Sequence, residues 1–205
     1  MKKLLLLSAV CFVATGVSAI DLKPYIEGKI TESIVKSKVT DDNEEIGSQN
    51  FRDTFVQGVS VEAGVKLDQF RIGLEAFYND KANDEISVNL GQIAVMAIPF
   101  SFRTKGTFLN AYWDIPTGDN FKKFKPYVGG GIGYSWLELS SMGTTITKRD
   151  TAWNAGAGIA YELNENTDFV LGYRYEDLGT LKDTEGGSKA DITNHKISLG
   201  LRYSF

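Results

Sequence analysis

The chain of 205 residues is poor in the residues that carry most chemistry: it has one cysteine, one histidine and four prolines. It also lacks a charge excess that would suit nucleic acid, with 22 Lys and Arg against 26 Asp and Glu and a formal net charge of −4. Outside the first twenty positions no run approaches the ~20 apolar residues of a membrane-spanning helix, which excludes a polytopic helical membrane protein. Disorder is excluded from the other side, because 42% of the residues are hydrophobic and 12% aromatic.

What is present begins with a targeting segment. Lys2 and Lys3 form a basic start, Leu4 to Val13 an apolar stretch, and Val17-Ser18-Ala19 a small-residue site before a cut between Ala19 and Ile20. This is the layout of a secretory signal peptide over 1–19, leaving a mature domain over 20–205. Removing Lys2 and Lys3 leaves 20 Lys and Arg against 26 acids, a mature charge of −6. Cys11 lies inside the apolar stretch, and Val10 before it is larger than an acylation site usually shows, so lipidation is not expected. The mature chain is then free of cysteine, and no disulfide or thiolate chemistry is available to it.

The mature chain alternates with a period of two, the mark of strands with one apolar face. Val59, Val61, Ala63, Val65 and Leu67 share one parity, then Asp68-Gln69 turns the chain into Phe70, Ile72, Leu74, Ala76 and Tyr78. The same hairpin pattern recurs from Trp153 to Leu163 and from Phe169 to Tyr175, with Asn164-Glu165-Asn166 as its turn. Runs over Leu22–Ile34, Thr104–Ile115, Pro126–Leu137 and Lys196–Phe205 complete a set of eight, each near the ~9–11 residues of a tilted membrane strand. Connections after Leu67, Ile115 and Leu163 are short or moderate. Those after Val35, Tyr78, Leu137 and Asp177 are longer and mostly polar.

Eight antiparallel strands fit a soluble calyx or a membrane barrel. In the first the charged parity faces water; in the second Glu27, Lys29, Glu62, Lys66, Arg71, Glu75, Glu162, Arg174, Glu176, Lys196 and Arg202 face the lumen. Three features favour the membrane. Trp113, Trp136, Trp153, Tyr161, Tyr175 and Tyr203 stand at the ends of the apolar runs, where interfacial girdles form. Gly and Ser crowd the charged parity, which leaves room in a narrow lumen for long side chains. The chain ends on an apolar alternating strand at Phe205. The expected fold is an eight-stranded antiparallel up-and-down transmembrane barrel, with ten strands as the alternative. Its lumen charges must pair, with Arg71, Arg174, Arg202 and Lys196 set against Glu62, Glu75 and Glu176.

At Lys125-Pro126-Tyr127-Val128-Gly129-Gly130-Gly131-Ile132-Gly133-Tyr134 and Leu171-Gly172-Tyr173-Arg174-Tyr175 the chain resembles the small outer-membrane β-barrel family, which includes opacity-type proteins and the barrel domain of OmpA-type proteins. The resemblance covers nearly the whole mature chain. It implies a bacterial outer-membrane location with both termini periplasmic, contact with outer-membrane lipids and lipopolysaccharide, and insertion by the barrel assembly machinery. It also implies an assembly signal at Leu201, Tyr203 and Phe205. No peptidoglycan-binding domain follows Phe205, a departure from the full-length OmpA-type pattern. Family members are surface antigens, adhesins, host-factor binders or structural barrels, and fold alone does not choose among these.

Catalytic and metal sites are not expected, and no cofactor is called for. His195 sits at the outer end of the last strand on the lipid-facing parity. A lipid A deacylase-type pair would want a serine two residues on, where Ile197 stands. Asp41-Asp42-Asn43-Glu44-Glu45 is an acidic cluster without a glycine-punctuated ligand spacing, so a solvated loop tip is expected rather than a cation site. The glycines from Gly129 to Gly133 precede no helix and read as close packing, not a phosphate loop. The leading expectation is a non-enzymatic surface barrel, antigen- or adhesin-like or envelope-structural, with extracellular loops as the interaction surface. The alternatives are a lipid-modifying enzyme and a small-solute channel. The segment Ile86 to Phe100 is too apolar for an ordinary loop. It is expected to extend a hairpin above the membrane and to offer Val88, Leu90, Ile93 and Val95 as partner contacts. A segment lying on the outer leaflet and an extra strand pair are the other readings.

Overall fold

A strand with one apolar and one polar face must bury one of them, and a sheet of such strands has two unpaired edges until it closes. The computed structural model describes residues 22–40, 54–89, 95–118, 121–141, 144–182 and 189–205. They form eight strands: β1 (Leu22–Thr40), β2 (Thr54–Leu67), β3 (Phe70–Asn89), β4 (Val95–Asp114), β5 (Phe124–Ser141), β6 (Thr144–Asn164), β7 (Thr167–Lys182) and β8 (Lys189–Ser204). Each pairs antiparallel with its neighbours in chain order, and β1 pairs with β8 to close the barrel. Closure removes the edges, so every strand has partners on both sides. The ten-stranded alternative does not hold: the sheet closes with eight.

Exposure decides between calyx and membrane barrel. Ile132 is 70% exposed and Ile30 64%, whereas Glu62 and Glu75 on the opposite parity are 0%. The apolar parity is therefore outside and the charges are inside, an arrangement stable only where the surroundings are hydrocarbon. Two aromatic rings mark the ends of the apolar band. Trp113, Phe124, Tyr161, Tyr203 and Phe205 lie at the short-turn end, where the rings of Phe124 and Tyr161 are 5.0 Å apart and those of Tyr203 and Phe205 are 5.0 Å apart. Trp136, Trp153 and Tyr175 lie at the other end, with Trp153 and Tyr175 5.5 Å apart.

The short-turn end holds the connections 68–69, 115–123 and 165–166 and both described chain ends. Asp68 takes a φ of 52° in the two-residue turn, a conformation that a short polar side chain tolerates. At the long-connection end the strands run further than the alternation suggested. Beyond Tyr78 the hairpin extension expected over Ile86 to Phe100 is paired strand, with Ile86 opposite Ile98 and Val88 opposite Met96. After Leu137, where a polar loop was expected, the ladder also continues, with Leu139 opposite Ile146 and Ser141 opposite Thr144. Alternation of hydrophobicity marks a strand only where one face meets lipid, so polar strand above the membrane reads as loop. The extension of β3 is entered through a register shift between Asn79 and Ala82. A second shift, between Asp177 and Thr180, carries β7 past Asp177. Gly179 lies in it with φ of 100°, where an added Cβ would meet the Asp150 carboxylate at 2.6 Å.

Candidate functional site

The lumen is where this sequence concentrates its charge, and it is built in layers. Nearest the short turns, Tyr25, Tyr112, Tyr127, Arg71 and Asp114 form an aromatic–ionic layer. Arg71 donates from Nε to Asp114 Oδ1 at 2.9 Å. Its guanidinium lies 4.5 Å from the Tyr112 ring centre and 5.1 Å from that of Tyr127.

The middle layer is a network of four carboxylates and four cations. Glu27, Glu62 and Glu75 are in register across β1, β2 and β3, so three like charges stand side by side. Such a row is destabilising unless cations enter it. Lys29 reaches into it, with Nζ 3.2 Å from Glu27, 3.8 Å from Glu62 and 3.6 Å from Glu75. Arg202 holds Glu27 at 2.6 Å. Arg174 makes a fork to Glu75, Nη1 to Oε2 at 2.7 Å and Nη2 to Oε1 at 2.8 Å. Glu176 sits between Arg174 at 3.1 Å and Lys196 at 2.9 Å.

Glu62 is the exception. Among the described residues its one cation within 4 Å is Lys29. Neutral donors supply the rest: Tyr25 Oη at 2.6 Å, Tyr112 Oη at 2.7 Å and Asn110 Nδ2 at 2.9 Å.

Above this network lies an apolar layer of Val56, Phe77, Phe108, Leu137, Ala152, Leu178 and Ile192. Phe77 and Phe108 stack at 5.3 Å and cap the charges, with Lys196 Nζ 4.7 Å from the Phe77 ring centre. The parity rule missed this layer: Phe77 shares its parity with Glu75 and Arg71, and that break was the available signal.

The ion pairing was legible only in part. Glu75 and Glu176 take the partners expected of them. Arg202 instead pairs with Glu27, Arg71 with Asp114, and Glu62 takes hydroxyls and an amide in place of arginine. Glu162 lies at the short-turn mouth with its side chain 36% exposed, bound to Lys125 at 2.9 Å. The glycines of β5 pack as expected: a Cβ on Gly131 would lie 2.7 Å from the Leu109 carbonyl and against the Asn110 amide, and one on Gly129 would lie 2.7 Å from the Ala111 carbonyl.

The remaining sequence candidates scatter. His195 faces outward, its Nδ1 2.7 Å from Tyr173 Oη and its ring 5.3 Å from that of Tyr175. Ile197, on the same face, is 57% exposed. Leu201 and Tyr203 face outward on β8, and the Phe205 amide donates to the Pro24 carbonyl at 3.0 Å. The β3–β4 extension places Val88 opposite Met96 and Val95 opposite Asn89 along the backbone. Leu90 and Ile93, the side chains of Val88 and Val95, and the acidic cluster from Asp41 to Glu45 lie outside the described residues.

The comparisons agree with this architecture. The opacity protein opA60 of Neisseria gonorrhoeae is 24% identical over 192 residues, covering 71% of this chain and 77% of that protein. The outer membrane protein PagN of Salmonella typhimurium is 23% identical over 117 residues, 47% of this chain and about half, 48%, of PagN. Among solved structures, Neisserial surface protein A superposes with a TM-score of 0.57 at 16% identity, covering 89% of this chain and 97% of that one. At this identity the likeness is one of fold. The family model for the outer membrane protein beta-barrel domain matches residues 4–205. With its charges inside, its apolar band outside and this match along almost its full length, the chain belongs to the outer-membrane protein β-barrel domain family.

Proposed function

We propose that this protein is a non-enzymatic surface barrel that uses the long-connection end to bind a host or environmental ligand. In this reading the termini and short turns are periplasmic and the long-connection end is extracellular. The observation that carries it is the β3–β4 hairpin, whose pairing runs on past the Tyr78 rim to Asn89 and Val95. A rigid scaffold that holds an apolar segment clear of the membrane is a platform for contact. Membership of a family that includes opacity proteins supports the same reading. The plugged lumen suits a scaffold better than a conduit, since eight strands leave an interior that side chains fill.

The test replaces Val88, Leu90, Ile93 and Val95 with Ser in the intact protein on cells. Barrel formation, read as heat-modifiable migration on a gel, is expected to persist while adhesion to host cells or matrix falls. Unchanged adhesion would refute the assignment of these residues. The lipid A mass spectrum is expected to be the same with and without the gene, and a shifted mass would overturn the non-enzymatic reading in favour of a site at His195.

A further inference from the structure

The rim of the barrel at the long-connection end is electrically lopsided on its outer wall. Glu32 and Asp80 face outward on the β1–β3 side, where they line one cleft with Gln57 and Tyr78. On the β4–β6 side the outward residues are Arg103, Lys105 and Arg149, with Glu138 among them. The register makes this a continuous row: Tyr78 is opposite Lys105, Lys105 opposite Trp136, and Trp136 opposite Arg149. Arg103 and Glu138 pair in the next row up.

Each cation is held in place. The Arg149 guanidinium lies 4.0 Å from the Tyr134 ring centre and 5.5 Å from that of Trp136. Among the described residues Arg149 has no carboxylate within ion-pair distance, and its charge rests on these two ring faces. Arg103 rests 5.7 Å from the Tyr78 ring centre. Glu138 is shared, taking Lys105 on one oxygen and Arg103 on the other at 3.4 Å. Those hydrogen bonds, the one from Lys105 first, hold the Glu138 carboxyl below the usual carboxylate range. The side chains stay open, Arg103 31% and Lys105 49% exposed. Among the described residues three cations stand here against two carboxylates, Glu138 between Lys105 and Arg103 and Asp80 in the β3–β4 bulge opposite Arg103, which leaves the sector positive.

Immediately below runs an apolar cleft on the outer wall, lined by Leu74, Leu109, Ile132, Tyr134 and Trp153. These residues share the outward parity of the cations, so one occupant that faces the wall meets both. It needs hydrocarbon to lie along Leu74, Leu109 and Ile132 and an anion to reach Arg103, Lys105 and Arg149. A soluble anion has no use for the cleft, and a neutral lipid none for the cations.

The geometry points to a binding site for a phosphorylated outer-leaflet glycolipid of the lipid A class, with its phosphate on Arg103, Lys105 and Arg149 and an acyl chain in the Leu74–Leu109–Ile132 cleft. Guanidinium groups suit phosphate because they donate two parallel hydrogen bonds. The aromatic rims beneath fix the guanidinium planes before the lipid arrives. The site rests on the orientation proposed above, in which this end meets the outer leaflet.

The test titrates the purified barrel in detergent with bisphosphorylated lipid A and with the same lipid stripped of phosphate, read by native mass spectrometry. The barrel is expected to prefer the phosphorylated lipid by about tenfold, as basic side chains near a membrane surface warrant. Arg103→Ala, Lys105→Ala and Arg149→Ala together are expected to abolish that preference. Lys122→Ala with Lys123→Ala, exposed cations at the other end, should leave it intact. Arg149→Ala alone, which removes the cation held on the Tyr134 and Trp136 rings, is expected to weaken the preference even if the triple variant folds poorly. A triple variant with the original preference, or a control that loses it equally, would overturn the site. Thr147→Cys, exposed on the same wall, should react with an impermeant maleimide on intact cells. If it does not react while the phosphate preference holds in detergent, the proposed orientation has failed, and the outer-leaflet assignment with it.

Discussion

Lys29 is the residue whose loss should hurt most, and the structure says which second change repairs it. Its Nζ serves three in-register carboxylates. Two of them keep a cation without it, since Glu27 retains Arg202 at 2.6 Å and Glu75 retains Arg174 at 2.7 Å. Glu62, fully buried, retains only neutral donors. Two unit charges about 4 Å apart interact by about 4 kcal/mol at an effective dielectric of 20. Removing one partner of a buried pair typically costs about 3–5 kcal/mol. Lys29→Met is therefore expected to lower the unfolding free energy by about 3–4 kcal/mol. Adding Glu62→Gln should recover a large part of that loss, because the stranded charge disappears while Tyr25, Tyr112 and Asn110 still find an amide to bond. Adding Glu27→Gln or Glu75→Gln should recover less, because each strips Arg202 or Arg174 of a carboxylate. The assay is urea unfolding of the barrel refolded into lipid vesicles, followed by tryptophan fluorescence. A Lys29→Met cost below about 1 kcal/mol, the scale of an exposed pair, would refute the argument. So would equal rescue by all three glutamine changes.

Three further outcomes follow from the same geometry. Phe205→Ala, or deletion of Tyr203 to Phe205, should reduce outer-membrane levels measured in fractionated cells, since the Phe205 amide reaches Pro24 where the barrel closes. Gly131→Val should destabilise the barrel by about 1–3 kcal/mol in the same urea assay, because its side chain would be driven into the Leu109 carbonyl and Asn110. In planar bilayers the purified protein should give no steady conductance steps, given the Phe77–Phe108 stack above the charged layer, and stable steps would restore the channel reading.

Much of this protein follows from one-dimensional order. Strand number, the Asp68-Gln69 turn and the lumen side of the charged residues follow from the alternation, because in a strand parity decides which side of the sheet a residue takes. The outward position of Trp113, Trp153 and Tyr203 follows in the same way. The β3–β4 extension follows from its apolar content, but the upper ends of the other strands did not follow, because above the membrane both faces are wet and the pattern that marks a strand vanishes. The ion pairs did not follow either. Which carboxylate Arg202 meets depends on how β8 is staggered against β1 at closure, and that stagger places Glu27 beside it. The row of Glu27, Glu62 and Glu75, the lysine that enters it, the Phe77–Phe108 cap and the cation row from Lys105 to Arg149 all join residues distant in the chain. Their alignment is set by hydrogen-bond register between strands. Local sequence determines which way a side chain points, but only the closed barrel determines what it points at.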